Sequence, residues 1–286
     1  MKTIYMAPNP IKDQRLEFTK MVAELSKSKA RLLLEESFAK YEVAGVEYCS
    51  KEQALAEADF VFALGGDGTL LSAAHDVLLS GQAILGFNLG RLGFLAEVEK
   101  KEVADCLERF FSQDYVIESR MMLRSCLKNL QTGGEQIFDS LNDVVVSRGS
   151  GSRLLDVNVY IDDEFVDDYK ADGMIVATPT GSTAYSMSAG GPIVDPSMDS
   201  MLITPICPHK LYSRAVLVPA QKTITASMGK GRIGGAQVSA DGREETAFTE
   251  NSLLTITKSP FQTKLIRVSG NRFYSVLRHK LIGKEN

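Results

Sequence analysis

Gly65-Gly66-Asp67-Gly68-Thr69 stands between the apolar run Phe60-Val61-Phe62-Ala63 and a stretch of helix formers from Leu70 to Leu79. A continuous apolar run suits a strand buried on both faces. Three glycines let the backbone turn sharply and let a bulky anion approach the amide N–H groups. The helix that follows adds unpaired donors and the positive end of its dipole. Asp67 is the odd member, because a carboxylate repels phosphate. Its presence makes sense if it holds a divalent metal between protein and phosphate, or takes a proton from an attacking hydroxyl. The blander reading is a tight strand–helix turn with Asp67 as its N-terminal cap. The chain has no G-x-x-x-x-G-K-[ST] run, and no third glycine follows Gly66 and Gly68 at the dinucleotide spacing. The loop is therefore neither an ordinary P-loop nor an ordinary Rossmann turn.

A second group of residues lies further along. Asn142-Asp143 precedes Val144-Val145-Val146, and Asp172-Gly173 leads into an apolar run at 174–177. That run opens into Thr178-Pro179-Thr180-Gly181-Ser182-Thr183-Ala184-Tyr185-Ser186-Met187-Ser188-Ala189-Gly190-Gly191-Pro192. So many small hydroxyls and breakers make a poor strand or helix. They suit a close-fitting surface for a flat polar ligand with sugars, with Tyr185 for packing. A Ser/Thr-rich surface loop is the plain alternative.

The elements that must position these residues fall into two patterns. Up to about residue 112, apolar runs at 3–7, 43–48, 60–64 and 83–87 alternate with helical spacing at 12–28, 51–57, after Thr69 and at 100–112. Such alternation predicts a parallel sheet covered on both sides, with ligands beyond the carboxyl ends of the strands, where Asp67 lies. Beyond Tyr115, short β-type runs dominate, at 122–127, 143–147, 156–161, 174–177, 214–218, 223–227, 237–239, 253–257 and 264–268. Strands at that density predict an all-β sandwich of stacked sheets. Residues 271–278 read as a final amphipathic helix. The expected divisions are 1–118 (α/β), 119–268 (β-sandwich) and a helical tail at 269–286 that packs back on the first domain.

Composition narrows the function. The 286 residues carry 32 Lys+Arg against 36 Asp+Glu, a net charge of −4, which argues against a nucleic-acid partner. No apolar run has the roughly 18 residues of a membrane span, and charged Lys12, Asp13 and Arg15 follow at once on the first apolar stretch. The expectation is a cytoplasmic protein with no membrane partner. Cys49, Cys106, Cys126 and Cys207 lack C-x-x-C spacing and are expected to be reduced thiols. His75, His209 and His279 do not make a zinc pattern.

The motifs taken together resemble one family. GGDGT occurs in NAD kinases, in lipid kinases of the diacylglycerol and sphingosine type and in phosphofructokinases, which implies phosphoryl transfer to a hydroxyl. The order Gly65–Thr69, Gly90-Arg91-Leu92-Gly93-Phe94-Leu95, Leu141-Asn142-Asp143, Ala171-Asp172-Gly173, Thr178-Pro179-Thr180-Gly181-Ser182-Thr183-Ala184-Tyr185, Pro205-Ile206-Cys207-Pro208-His209 and Ser239-Ala240-Asp241-Gly242 is similar to that of bacterial-type NAD kinases. The resemblance implies an α/β domain and a β-sandwich with the active site in the cleft between them. It also implies NAD as acceptor, ATP or polyphosphate as donor, a divalent metal such as Mg²⁺, and a homodimer or homotetramer.

By the same resemblance Asp67 is the catalytic residue, as base, as metal ligand or as both. Gly66, Gly68 and Thr69 lie against the substrates, and Phe94 and Leu95 line the dinucleotide pocket. Asn142 and Asp143 grip the adenosine end, and Asp172 faces the nicotinamide side. Thr180, Thr183, Ala184, Tyr185 and Ser188 surround adenine and ribose, with Arg153 and Lys170 near the nucleotide phosphates. Two positions depart from the family pattern: Asp143 stands where Glu is more usual, and Lys170 where Arg is frequent. The alternatives are a lipid kinase, which should carry an exposed apolar or basic docking stretch, and a non-catalytic dinucleotide sensor, which would not need Asp67.

Overall fold

The alternating N-terminal pattern folds as a parallel sheet in a computed structural model that describes residues 1–96, 98–149, 154–229, 235–268 and 273–282. The chain divides into two units, Met1–Ser119 with Thr263–Asn286, and Arg120–Gln262. In the first unit the strand order runs from the end of Ser252–Arg267 through Ala83–Asn88, Phe60–Gly65, Lys2–Pro8 and Ala30–Glu35 to Glu47–Cys49. Every neighbouring pair is parallel. Ala83–Asn88 is buried at every position and Phe60–Gly65 at all but its first, as expected for strands covered on both faces. Phe62 anchors this core, with its ring edge-on to Phe87 at 5.4 Å and to Phe110 at 5.1 Å. That packing fixes the carboxyl end of Phe60–Gly65, where the glycine turn begins. The register sets Gly65 beside Asn88 at the end of the neighbouring strand.

Several local expectations need correction. The second strand in the chain is Ala30–Glu35, and residues 43–48 contribute only to the short Glu47–Cys49. Residues 30–35 read as helix formers, but burial of Leu32, Leu33 and Leu34 in the sheet overrides that preference. The helix expected over 12–28 is a 3-10 turn at Gln14–Leu16 followed by Glu17–Ser26, because Arg15 and Leu16 have φ of 56° and 54°. The helix after the glycine turn begins at Asp67, not Thr69, and runs to Asp76. Lys51–Glu57 forms as expected, with Ser50 accepting from the Gln53 N–H at 3.1 Å.

The second unit is a pair of antiparallel sheets. One has the order Glu164–Ala171, Leu155–Ile161, Ile224–Met228 and the first part of Ser252–Arg267, with a hairpin of Val116–Asn129 and Glu135–Ser140 beside it. The other runs Val216–Pro219, Ser200–Ile206, Gly173–Ala177, Asp143–Arg148, Ala236–Ala240, Arg243–Phe248. Val157, Val159 and Tyr169 from the first sheet share a core with Val144, Val146, Met174 and Val176 from the second. Residues Val145, Ile175 and Ala177 on the other face pack with Val194 and Leu202, so Gly173–Ala177 is buried throughout.

Among the described residues of the second unit, four strands escape the sequence pattern: Glu135–Ser140, Glu164–Ala171, Ser200–Ile206 and Arg243–Phe248. Three are rich in charge, and Ser200–Ile206 contains Pro205. The runs at 253–257 and 264–268 belong to one strand, Ser252–Arg267, which passes through an exposed Pro260. The second unit closes at Gln262, and beyond it Lys264 and Leu265 pair in parallel with Ala83 and Ile84. The C-terminal helix Phe273–Ile282 belongs to the first unit, with Phe273 against Phe94 at 5.9 Å between ring centres. Among the described residues, no helix is long and apolar enough to cross a membrane.

Candidate functional site

Asp67 is the first residue of its helix, where a negative charge meets the positive end of the helix dipole. It does not cap that helix; Gly66 holds the cap position. The Asp67 carboxylate reaches across to residues 94–96 instead. Its Oδ2 accepts the Phe94 N–H at 2.8 Å, and its Oδ1 accepts those of Leu95 at 3.1 Å and Ala96 at 2.9 Å. A carboxylate offers about four lone-pair sites, so three amides orient it and leave room for one more partner. Gly93 permits the approach: a Cβ there would lie 1.9 Å from Asp67 Oδ1. The segment is held from behind by Arg267, which is 5% exposed. Arg267 Nη1 donates to the Leu95 carbonyl at 2.9 Å, and its Nε donates to Glu118 Oε2 at 2.7 Å. Lys280 Nζ lies 4.6 Å over the Phe94 ring.

Gly66 has φ +148°, which favours glycine, and its carbonyl accepts from the N–H groups of Thr69 and Leu70 at 3.0 Å. Thr69 Oγ1 accepts from Asn9 Nδ2 at 3.1 Å. Gly68 is exposed, while Asp67 and Thr69 are half-buried. The turn thus presents an open amide edge with a single oriented carboxylate beside it.

In the second unit a similar device holds Asn142 and Asp143. The Asp241 carboxylate accepts the backbone N–H groups of Leu141, Asn142 and Asp143 at 2.7, 2.8 and 3.0 Å. Asp241 itself has φ 52°, and its N–H donates to the Asp143 carbonyl at 2.9 Å. Thr178 packs on the same turn: its N–H donates to the Asn142 carbonyl at 2.8 Å, and its Oγ1 donates to the Leu141 carbonyl at 2.6 Å. Burial pushes the Asp143 carboxyl up to about 7, and the neighbouring Asp241 charge adds to the rise.

The hydroxyl-rich segment separates into an internal set and an available set. Ser182 Oγ donates to the Pro179 carbonyl at 2.6 Å and accepts the Val194 N–H at 3.0 Å, and Ser186 Oγ pairs with Thr204 Oγ1 at 2.9 Å. Thr180 is buried, with its Oγ1 accepting from Arg120 Nη1 at 3.1 Å. Thr183 and Ala184 are half-buried and close a 3-10 turn, while Tyr185 and Ser188 are exposed on the short helix Tyr185–Ser188. The segment meets the Asn142 turn at Thr178 and at Gly181, where a Cβ would lie 2.0 Å from the Asn142 carbonyl oxygen.

Lys170 and Asp172 lie elsewhere. Asp172 precedes Gly173, while Asp143 pairs with Ala177 at the far end of the same strand. At about 3.3 Å per residue the two positions stand roughly 17 Å apart along the sheet. Asp172 Oδ1 is paired with Arg148 Nε at 3.1 Å. Arg153 lies outside the described residues. Sequence reasoning assigned nothing to Asp241, Arg120, Gly93 or Arg267. Ser239-Ala240-Asp241-Gly242 and Gly90-Arg91-Leu92-Gly93 were visible as motifs, but a carboxylate that receives amides from residues far along the chain leaves no local periodicity.

A family model described as ATP-NAD kinase N-terminal domain matches residues 6–115, and one described as ATP-NAD kinase C-terminal domain matches residues 141–268. An NAD kinase of Thermoanaerobacter sp. (strain X514) is 40% identical over 285 residues, covering 98% of this chain and 99% of that protein. One of Moorella thermoacetica is 44% identical over 232 residues, covering 80% of this chain and 73% of that protein. The fold is shared with yeast NADH kinase complexed with NADH, at a TM-score of 0.89 and 24% identity over 100% of this chain and 89% of the other. It is shared too with an NAD kinase from Archaeoglobus fulgidus in complex with ATP, at a TM-score of 0.74 and 24% identity over 97% and 98%.

The raised Asp143 value makes stability depend on pH. A carboxyl whose folded value exceeds its unfolded value of about 3.9 adds stability that is complete below the latter. That stability is lost as pH rises through about 7. Asp143→Asn keeps the shape and removes the titration. Denaturant unfolding should show the natural chain losing on the order of 1–4 kcal/mol relative to this variant between pH 4 and pH 8. A difference that does not change with pH would contradict the assignment.

Proposed function

The chain belongs to the NAD kinase family, and on that premise we propose how its residues move a phosphoryl group from ATP to the 2′-hydroxyl on the adenosine ribose of NAD. The observation that carries the proposal is the Asp67 carboxylate, oriented by three amides beside an open glycine turn. The turn and the helix N-terminus receive the donor phosphates. Asp67 accepts a hydrogen bond from the 2′-hydroxyl and takes its proton as the new O–P bond forms and the γ-phosphorus separates from ADP. In a loose transition state little bonding to the nucleophile has developed, so alignment matters more than basicity. The lipid-kinase and sensor alternatives gain no support from the relatives.

A divalent metal fits as a companion of the donor. Mg²⁺ is commonly held by one or two carboxylates plus substrate phosphates. Among the described residues no group of three or more His, Cys, Asp or Glu could hold a metal. Asp67 is the carboxylate that would touch the ion if its remaining lone-pair site were given to the metal in place of the hydroxyl, and the donor phosphates would supply the rest. Bound there, Mg²⁺ would neutralise phosphate charge. Polyphosphate presents the same chain of anionic oxygens and is proposed as an alternative donor.

The acceptor is proposed to lie with its adenosine end at Asn142, Asp143, Thr183, Ala184, Tyr185 and Ser188. Tyr185, 46% exposed, gives a free ring for packing. Phe94 and Leu95 belong to the same segment that orients Asp67, so pocket wall and catalytic carboxylate are linked. The roughly 17 Å along the sheet to Asp172 suits the extended length of a dinucleotide, with Asp172 toward the nicotinamide and Lys170 near the phosphates.

Assembly into a homodimer or homotetramer is also proposed. Val216–Pro219 and Glu164–Ala171 end their sheets and carry half-exposed Leu217 and Phe165. Light scattering at micromolar concentration should give a species larger than the 31.3 kDa chain, and a monomer alone would count against it.

Asp67→Asn separates chemistry from binding. With Mg²⁺, ATP and NAD, kcat for NADP formation should fall about 10²–10⁴-fold while calorimetry still finds NAD binding. Asn142→Ala should instead weaken NAD binding by roughly 1–3 kcal/mol. Near-normal turnover in Asp67→Asn would move the catalytic role away from the glycine turn.

A further inference from the structure

The glycine turn carries no lysine of its own. A triphosphate bound there would set several negative charges beside the Asp67 carboxylate. The fold brings an ammonium to this point from a distant part of the chain. Lys12 Nζ lies 2.8 Å from the position a Cβ on Gly66 would take, and Asn88 Oδ1 lies 3.6 Å from the same position. Lys12 has no carboxylate partner among the described residues.

The loop that delivers Lys12 is fastened to the glycine turn. Asn9 donates its backbone N–H to the Leu64 carbonyl at 2.9 Å and its Nδ2 to Thr69 Oγ1 at 3.1 Å. Asn9 Oδ1 accepts the N–H groups of Ile11 and Lys12 at 3.0 and 3.2 Å. On the other side, Asp13 is 3% exposed and accepts the N–H groups of Phe18 and Thr19, each at 2.9 Å. Lys12 therefore sits between two anchors: its backbone is fixed to the strand and helix that frame the turn, and its side chain is exposed.

We propose that Lys12 is the donor-phosphate lysine of this enzyme, its ammonium binding the terminal phosphates of ATP over Gly66. The residue does the work that a P-loop lysine does in other phosphotransferases, from a different place in the chain. A compact ammonium with three donors suits several phosphate oxygens at once. The inference rests on the glycine turn being the donor site.

Lys12→Gln removes the charge and keeps much of the length. The side chain makes no packing that the fold needs, so the variant should fold. KM for ATP should rise about 10- to 100-fold, with KM for NAD within about twofold of the natural chain. Lys12→Arg should recover most of the loss. The natural KM for ATP should also rise more steeply with salt than that of Lys12→Gln. Unchanged ATP kinetics in Lys12→Gln, or an equal rise for ATP and NAD, would overturn the assignment. Asp67→Asn run in parallel keeps the two readings apart. If it is inactive and Lys12→Gln is normal, only the lysine assignment fails; if it turns over normally, the donor site fails and the lysine with it.

Discussion

Three backbone amides on one carboxylate are the interaction on which the site depends. Asp67 is oriented by Phe94, Leu95 and Ala96, and each neighbouring feature serves that contact. Gly93 gives the carboxylate room. Arg267 holds the Leu95 carbonyl from behind and is itself held by Glu118. The buried strands Phe60–Gly65 and Ala83–Asn88 fix where the turn begins. A catalytic carboxylate on a flexible turn would lose orientation, and misplacement of about 1 Å is enough to lose much of the rate.

The second unit repeats the device. Asp241 gathers the amides of Leu141, Asn142 and Asp143 as Asp67 gathers those of residues 94–96. The two differ in consequence. Asp67 is half-buried at a helix N-terminus and has room for one more partner beside its three amides. Asp241 uses its carboxylate to shape a turn, and its charge helps to hold buried Asp143 near neutrality in its titration. On the proposed roles, one chemical arrangement serves catalysis in one unit and the positioning of substrate-binding residues in the other.

Much of this was legible in the residues. Phe60–Gly65, the glycine turn and the following helix could be read because apolar run, breaker and helix former follow one another within a few positions. Asn142, Asp143 and the segment after Thr178 stood out by composition. What could not be read depends on distance along the chain. Ala30–Glu35 looks helical until the sheet buries its leucines. Glu164–Ala171 and Arg243–Phe248 look like solvated charge, because each is an edge strand. Ser182, Ser186 and Thr180 look like ligands for a sugar but have partners inside the fold. Gly93, Arg267 and Asp241 act on residues tens of positions away or more, so no spacing rule reveals them.

The most direct measurement is turnover in Gly93→Ala, alone and combined with Asp67→Asn. The added carbon would fall 1.9 Å from Asp67 Oδ1, so the carboxylate must leave its three amides. A folded Gly93→Ala chain, checked by circular dichroism, should lose about 10²-fold in kcat. Because both changes act on one group, the double variant should be little slower than Asp67→Asn alone. Near-normal turnover in Gly93→Ala, or a full further loss in the double variant, would contradict the account.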